Sequence, residues 1–253
     1  MVTIKSPEEI EIMAEGGKRL ARVLAALRKT VRPGITTKSL DALAETLIRG
    51  EGAEPAFLNY RPAGSRQAYP FALCASVNDT VVHGMPSEYV LRDGDLLKLD
   101  LGLRFKKFYL DSAVTVGVGS VSREAKKLMQ VTEESLARAV KVAWPGKTTG
   151  DVGHAVESFV LKNKFSVVKT LVGHGIGRDL HEDPAVFNFG SPKSGEEIEA
   201  GMVLAIEPMV NAGSGGTKQA RDDSFVTKDG SLSAHFEHTV AITEKGPRIL
   251  TKI

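Results

Sequence analysis

Residues 96–117, LLKLDLGLRFKKFYLDSAVTVG, constrain this chain more than any other stretch. Two apolar-rich segments flank a basic, aromatic tip, Arg104-Phe105-Lys106-Lys107-Phe108, which is the pattern of a β-hairpin. Side chains alternate along a strand, so Lys98, Asp100 and Gly102 share one face and Leu97, Leu99, Leu101 and Leu103 the other. On the returning segment Tyr109, Asp111, Ala113 and Thr115 share a face, against Leu110, Val114 and Val116. With an even number of residues in the tip, Asp100 is expected directly opposite Asp111. Directly paired residues have Cβ atoms about 5 Å apart, and like charges there destabilise the pair. That placement calls for a cation between the carboxylates. The competing reading has one carboxylate buried on hydrogen bonds and the other exposed on an edge.

At 253 residues the chain is long enough for one large domain or two small ones, and it reads as a single domain, 1–253, with two similar halves. A net charge of +2 is too small to argue for nucleic acid or an anionic membrane surface. One cysteine excludes an internal disulfide framework and fits a reducing compartment. The N-terminus, MVTIKSPEEIEIM, has early acidic residues and no apolar run of signal-peptide type, and no segment is apolar for long enough to span a bilayer. A cytoplasmic protein is expected.

Ser6-Pro7-Glu8-Glu9 combines an N-cap, a proline at the first helical position and a capping-box glutamate. The helix it opens carries Ile10, Met13, Leu20, Leu24 and Leu27 at helical spacing until Pro33-Gly34. Thr36 or Thr37 opens a second helix with Leu40, Leu43, Leu47 and Ile48 on one face, ended by Gly50 or Gly52. A loop-rich stretch over 53–70 holds Tyr60, Pro62, Gly64, Tyr69 and Pro70, before a strand over 71–77 and a short strand running into a turn over 81–86. Ser122 starts a third helix, closed by Trp144-Pro145-Gly146. Thr148 or Thr149 starts a fourth, with Val152, Val156, Phe159 and Val160 inward and His154 exposed. Strands are expected over 167–177, 202–210, around Phe225-Val226 and over 236–242. The intervals 178–201 and 211–224 read as loops. Each half therefore runs helix, helix, then strands that bear acidic residues, which suggests a duplicated α/β unit.

Four further residues sit oddly in their surroundings. His174 lies among glycines, which let backbone approach a ligand closely. Glu207 interrupts Leu204-Ala205-Ile206 and Pro208-Met209, and Glu237 lies between Phe236 and the apolar run after His238-Thr239. His83 stands at a strand-to-turn junction before Gly84. A buried ionised glutamate costs several kcal/mol unless it is paired or metal-bound. Pairing with Lys or Arg would satisfy one such residue, but Lys98 is almost the only cation on these strands. Asp100, Asp111, Glu207 and Glu237 together carry four negative charges, which two divalent cations would cancel. Carboxylates with an imidazole suit Mn, Fe, Co or Zn as divalent ions better than a thiolate-type structural zinc site. Such a pair of ions can activate a water for attack on a carbonyl.

GHGIGRDLHEDP over 173–184, the pair LDLG and LDSA, AIEPM, and SLSAHFEHT resemble the methionine aminopeptidases, and more broadly the metallopeptidases of the pita-bread fold. The resemblance spans essentially the whole chain. It implies a pseudo-two-fold duplicated α/β unit with a curved, mainly antiparallel sheet covered by helices. It implies that Asp100 binds one divalent ion, that His174 and Glu207 bind a second, and that Asp111 and Glu237 bridge the two. It further implies that His83 and His181 contact the scissile peptide, that Glu207 shuttles the proton, and that Tyr69 and Cys74 line the methionine pocket. The implied substrates are N-termini of nascent polypeptides near the ribosome, with a small residue after the methionine. The implied enzyme is a monomer of the shorter, type I class, without specific nucleic-acid or membrane binding.

Two departures from the family pattern concern the rim. A tryptophan usually found about a dozen residues before the last glutamate is absent from Arg221-Asp222-Asp223-Ser224-Phe225, where Phe225 is the candidate stand-in. The usual glutamine two residues before that glutamate is His235 here. His238 faces away from Glu237 and reads as structural. The rival functions are a Xaa-Pro aminopeptidase or prolidase of the same fold, and a non-catalytic relative that binds ribosomes, RNA or proteins.

Overall fold

Four helices are set by their N-terminal caps. The computed structural model describes residues 2–61 and 67–252. In α1 (Pro7–Thr30) the Ser6 hydroxyl accepts the Glu9 N–H at 3.2 Å, while Glu9 Oε2 accepts the Ser6 N–H at 2.8 Å. This is the reciprocal capping box expected from the sequence. Thr36 caps α2 (Thr37–Gly50), Ser122 caps α3 (Arg123–Val142), and Thr148 with Asp151 forms a second capping box on α4 (Thr149–Lys162). His154 is exposed on α4, as expected.

Between α2 and α3 run β1 (Glu54–Pro55), β2 (Cys74–Val77), β3 (Thr80–Val82), β4 (Leu96–Phe105) and β5 (Phe108–Gly117). After α4 come β6 (Ser166–Val167), β7 (Gly173–Gly175), β8 (Glu182–Val186), β9 (Val203–Ile206) and β10 (Met209–Asn211). The chain finishes with β11 (Thr217–Gln219), β12 (Phe225–Thr227), β13 (Ser233–His235), β14 (His238–Thr243) and β15 (Gly246–Ile249). In the first half β4 pairs with β5 along one edge and with β2 and β1 along the other. In the second half a five-stranded sheet runs β15-β14-β9-β7-β8, and β13-β10-β6 and β11-β12-β3 form two smaller sheets. Every pairing among these strands is antiparallel.

Each helix pair covers a core of its own. Met13, Leu20, Leu27, Leu40 and Ile48 of α1 and α2 pack on Leu97, Leu99, Leu101 and Leu103 of β4. Leu128, Leu136, Val152 and Val156 of α3 and α4 pack on Leu204, Ile206, Val240 and Ile242. Repetition of the two-helix layer over strands in both halves matches the duplicated unit expected from the sequence. The halves are stitched where β5 runs beside the C-terminal strands. Thr115 Oγ1 donates to His235 O at 2.7 Å and accepts its N–H at 2.8 Å. Thr239 Oγ1 likewise donates to Asp111 O at 2.8 Å and accepts its N–H at 3.0 Å. Two threonine hydroxyls thus replace ladder bonds at the seam, and the seam brings Asp111 beside Glu237.

The hairpin register differs from the expectation. Lys106 and Lys107, both with positive φ (47° and 82°), form a two-residue turn, so Phe105 pairs with Phe108. Counting back, Gly102 lies opposite Asp111 and Asp100 opposite Ala113. The turn has an even number of residues, but its centre lies one position beyond the one that would pair the two aspartates. They are diagonal neighbours on one face, with Cβ atoms about 7 Å apart.

Three expected strands are broken. Residues 167–177 divide into β6 and β7, 202–210 into β9 and β10, and 236–242 begins only at His238, after β13. Pro208 has no N–H to give a ladder, and the Glu237 N–H leaves the ladder to bond Ala113 O at 2.9 Å. The paired ribbons β9–β14 and β10–β13 are therefore interrupted at the same level, and each interruption carries a glutamate. The loop intervals 178–201 and 211–224 hold the short strands β8 and β11. Of the residues read in the 53–70 loop, Pro62 and Gly64 lie outside the described residues.

Candidate metal centre

His174 is placed by its glycines. A Cβ on Gly173 would lie 2.3 Å from Ala205 O, and one on Gly175 would lie 2.1 Å from Asp183 O. Only glycine lets β7 fit between β9 and β8, and that fit holds the His174 ring over Glu207. The contact from His174 Nδ1 to Gly175 O, at 2.8 Å, requires Nδ1 to carry the proton, because a carbonyl only accepts. The Nε2 lone pair is thereby free, 3.5 Å from Glu207 Oε1. Burial, with His181 adding to it, lowers the His174 pKa to about 3, so the ring is neutral and competent as a ligand at pH 7.

Asp111, His174 and Glu237 can each offer one ligand atom such that all three atoms lie within 4.8 Å of one another. Asp100 and Glu207 complete the surround. Asp100 is 8% exposed and Glu237 2%, and each keeps a buried oxygen, Oδ1 and Oε1 respectively, without a hydrogen-bond partner. Burial raises the pKa of all four carboxyl groups. Asp111 is pushed up to about 7 by burial, against the opposing N–H of Ser112. Asp100 is raised by burial and then by Asp111. Glu207 and Glu237 are raised by burial, then by Asp111, with Asp100 adding to both. Lys98, the nearby strand cation, bonds instead to Asn78 O at 2.7 Å, and burial lowers its pKa to about 7. Four crowded carboxyl groups, two of them with an orphaned oxygen, and the free Nε2 of His174 fit divalent cations.

The residues expected to contact substrate lie around the same cluster. His83 has φ 59°, an unusual conformation for a non-glycine residue of the kind that gathers at functional sites. Gly84 holds it there, because a Cβ on Gly84 would lie 2.7 Å from Ser76 Cα. The His83 ring packs edge-on to Phe225 at 5.9 Å. Surrounding protein, with His181 adding to it, lowers the His83 pKa to about 4. The His181 ring stands 4.3 Å from that of His174, and its Nδ1 meets the Tyr60 hydroxyl at 2.6 Å. Cys74 is buried and pairs with Asp100 across β2 and β4, and Tyr69 packs near it with its hydroxyl on Leu73 O (3.0 Å) and Gly84 O (3.1 Å). His238 bonds Thr251 Oγ1 at 2.9 Å, away from the acids.

Sequence reading missed two residues of this site. Tyr60 was only part of a loop, and its role comes from a contact 121 positions away. His235 was read as a rim residue, but it is 1% exposed beneath Glu207, with Nε2 3.4 Å from Glu207 Oε2 and no hydrogen-bond partner at either ring nitrogen. Its position two residues before Glu237, on the strand opposite Met209, was the available signal.

Residues 11–244 match the model of metallopeptidase family M24. The chain belongs to that family. Within M24, it is 45% identical to methionine aminopeptidase 1 of Bacillus subtilis over 254 residues, covering 100% of both chains. The crystal structure of methionine aminopeptidase from Thermotoga maritima superposes with a TM-score of 0.95 at 42% identity, again over 100% of both chains. The prolidase of Pyrococcus furiosus shares the M24 fold at a TM-score of 0.78, but at 24% identity, and this chain covers only 65% of it. The resemblance and the pita-bread fold expected from the sequence are thus both met, and membership of an M24 metallopeptidase family implies divalent metal at the acidic cluster. Among the described residues no helix is long and apolar enough to cross a membrane.

Proposed function

We propose that this chain is a methionine aminopeptidase that uses two divalent ions to remove the N-terminal methionine from nascent polypeptides with a small second residue. The observation that carries the reading is the convergence of Asp100, Asp111, His174, Glu207 and Glu237 in one buried cluster, with no lysine or arginine among the described residues paired to it. Four carboxylates and two divalent ions make a neutral centre. In this reading Asp100 would hold one ion, His174 and Glu207 would hold the other, and Asp111 and Glu237 would serve both, with Mn, Fe, Co or Zn as suitable ions. Such ions supply Lewis acidity and a water acidified enough to attack a peptide carbonyl at neutral pH.

The rest of the work falls to side chains. Tyr60 donates its hydroxyl to His181 Nδ1, which leaves the ring proton on Nε2, where it can be donated to the scissile carbonyl oxygen. His83 steadies the amide nitrogen from the other wall. Glu207 takes up a proton and returns it to the leaving amine, a role suited to a carboxyl group whose pKa is raised. Tyr69 and Cys74 are assigned to the methionine side chain, and Phe225 beside His83 narrows the space for the second residue. Residues 1–253 act as one catalytic domain, as a monomer in the cytoplasm, on chains emerging from the ribosome.

Release of methionine from Met-Ala-Ser, compared with Met-Leu-Phe and Ala-Pro peptides, tests the reading. Met-Ala-Ser is expected to be cut far faster than the other two. Faster cleavage of Ala-Pro would make the chain a Xaa-Pro peptidase. Absence of all three activities in metal-loaded protein would favour the non-catalytic reading.

A further inference from the structure

The five residues before α1 carry the most enclosed lysine–carboxylate pair described in this chain. Lys5 Nζ lies 2.5 Å from Glu182 Oε2, with the two side chains 1% and 5% exposed. By contrast the Lys38–Glu88 pair is 62% and 74% exposed, a setting in which ion pairs contribute little. The same Glu182 oxygen accepts the Thr3 hydroxyl. Its other oxygen accepts the N–H groups of Arg178, at 2.6 Å, and Asp179, at 3.1 Å. Every bond to this carboxylate comes either from the N-terminal segment or from the backbone of the turn just before it. Lys5 is itself anchored, with its N–H on Gly201 O at 2.8 Å and its ammonium on Thr3 Oγ1 at 2.5 Å. The turn is shaped around the lysine, because a Cβ on Gly177 would lie 2.2 Å from Lys5 Cε.

Residue 181, between Asp179 and Glu182 on this turn, is the histidine that faces the metal cluster. Its ring contacts only His174 and Tyr60 among the described aromatic neighbours, so its aim depends on the backbone that presents it. Deepening the role proposed for His181, we infer that Lys5 is a positioning residue, which reaches through Glu182 to hold the 177–182 turn so that His181 meets the scissile carbonyl. The N-terminal segment is then part of the active site, although none of its atoms touches substrate. Misplacement of a reacting group by about 1 Å can cost around 100-fold in rate.

The test is a double-mutant cycle in the full-length, metal-loaded protein, with Met-Ala-Ser as substrate. Lys5→Met is expected to lower kcat about 10- to 100-fold with KM changed by less than about threefold, and Lys5→Arg to recover part of the loss. In a His181→Ala background the same Lys5→Met change is expected to cost less than about twofold, since its route to the chemistry is already gone. Equal losses in both backgrounds would overturn the inference and leave Lys5 a structural clip. Thr3→Val, which removes one donor to Glu182 from a half-buried site, provides the same cycle if Lys5→Met fails to fold. The His181 ring resonances in the substrate-free protein give an independent readout. They should move in Lys5→Met or Thr3→Val, and an unmoved ring would also overturn the inference. If His181→Ala alone leaves kcat unchanged, the proposed substrate role of His181 fails, and the ring resonances still decide whether Lys5 positions it.

Discussion

His83 and His181 stand beside the five proposed ligands rather than among them, and their substitutions separate chemistry from metal binding. His83→Ala and His181→Ala are each expected to lower turnover about 100- to 1,000-fold, the usual cost of one lost transition-state donor, while metal content measured by elemental analysis stays near that of the unmodified protein. Loss of stoichiometric metal in either variant would move that histidine into the ligand set. His235 makes a second residue-scale case. An imidazole beneath Glu207 with no other partner is placed to orient that carboxylate, so His235→Gln, which keeps a donor, should retain most turnover, and His235→Leu should lose it. Equal activity in the two variants would make His235 a packing residue. Residues of this kind separate what was readable from what was not. His174 announced itself through its glycines, and Glu207 and Glu237 through charge in apolar runs. Tyr60 and Lys5 could not be read, because each acts on a partner more than a hundred positions away and neither looks unusual among its neighbours in sequence.

At the scale of elements, the hairpin β4–β5 decides how the acids repel one another. The alternation of side chains put Asp100 and Asp111 on one face, but the pairing depended on where the turn closed, and two left-handed lysines closed it at 106–107. Lysine is not the usual residue for that conformation, so no turn signal marked the centre. The strand breaks were hidden for a similar reason. A single proline at 208 and one diverted N–H at Glu237 divide ribbons whose apolar residues resume on the far side of each glutamate. Diagonal carboxylates about 7 Å apart still repel by about 2 kcal/mol at an effective dielectric constant near 20. Asp100→Asn removes one charge and keeps the shape. In excess chelator at pH 7.5 it should therefore melt above the unmodified protein, while losing metal affinity and activity. Melting at or below the unmodified protein would show that Asp100 is not part of a strained acidic cluster.

For the whole molecule, pH and metal content act on the same groups with definite signs. The clustered carboxyl groups have folded pKa values above the unfolded ones, Asp111 near 7, so their contribution is complete below the unfolded value and is lost as pH rises through the folded one. His83, His174 and His235 have folded values depressed to about 3–4, so their contribution is present above the ordinary histidine value and is lost as pH falls. Above about pH 6.5 the four acids outweigh Lys98, the one group with a folded value in this range that acts the other way, its pKa being depressed to about 7. The melting temperature of metal-free protein should thus fall between pH 6.5 and 8, and excess Mn²⁺ should remove or reverse the fall, because ligands that shed protons bind metal more tightly as pH rises. A metal-free melting temperature that climbs over that interval would contradict the reading of the cluster.

The central claim is that the seam between the two halves is a metal centre and that the metal centre is the catalyst. Turnover of Met-Ala-Ser, followed as Mn²⁺ is added in measured equivalents to rigorously metal-free protein, tests it most directly. No turnover is expected at the start, followed by a rise with added ion and a plateau by two equivalents per chain. Full turnover before any ion is added would contradict it.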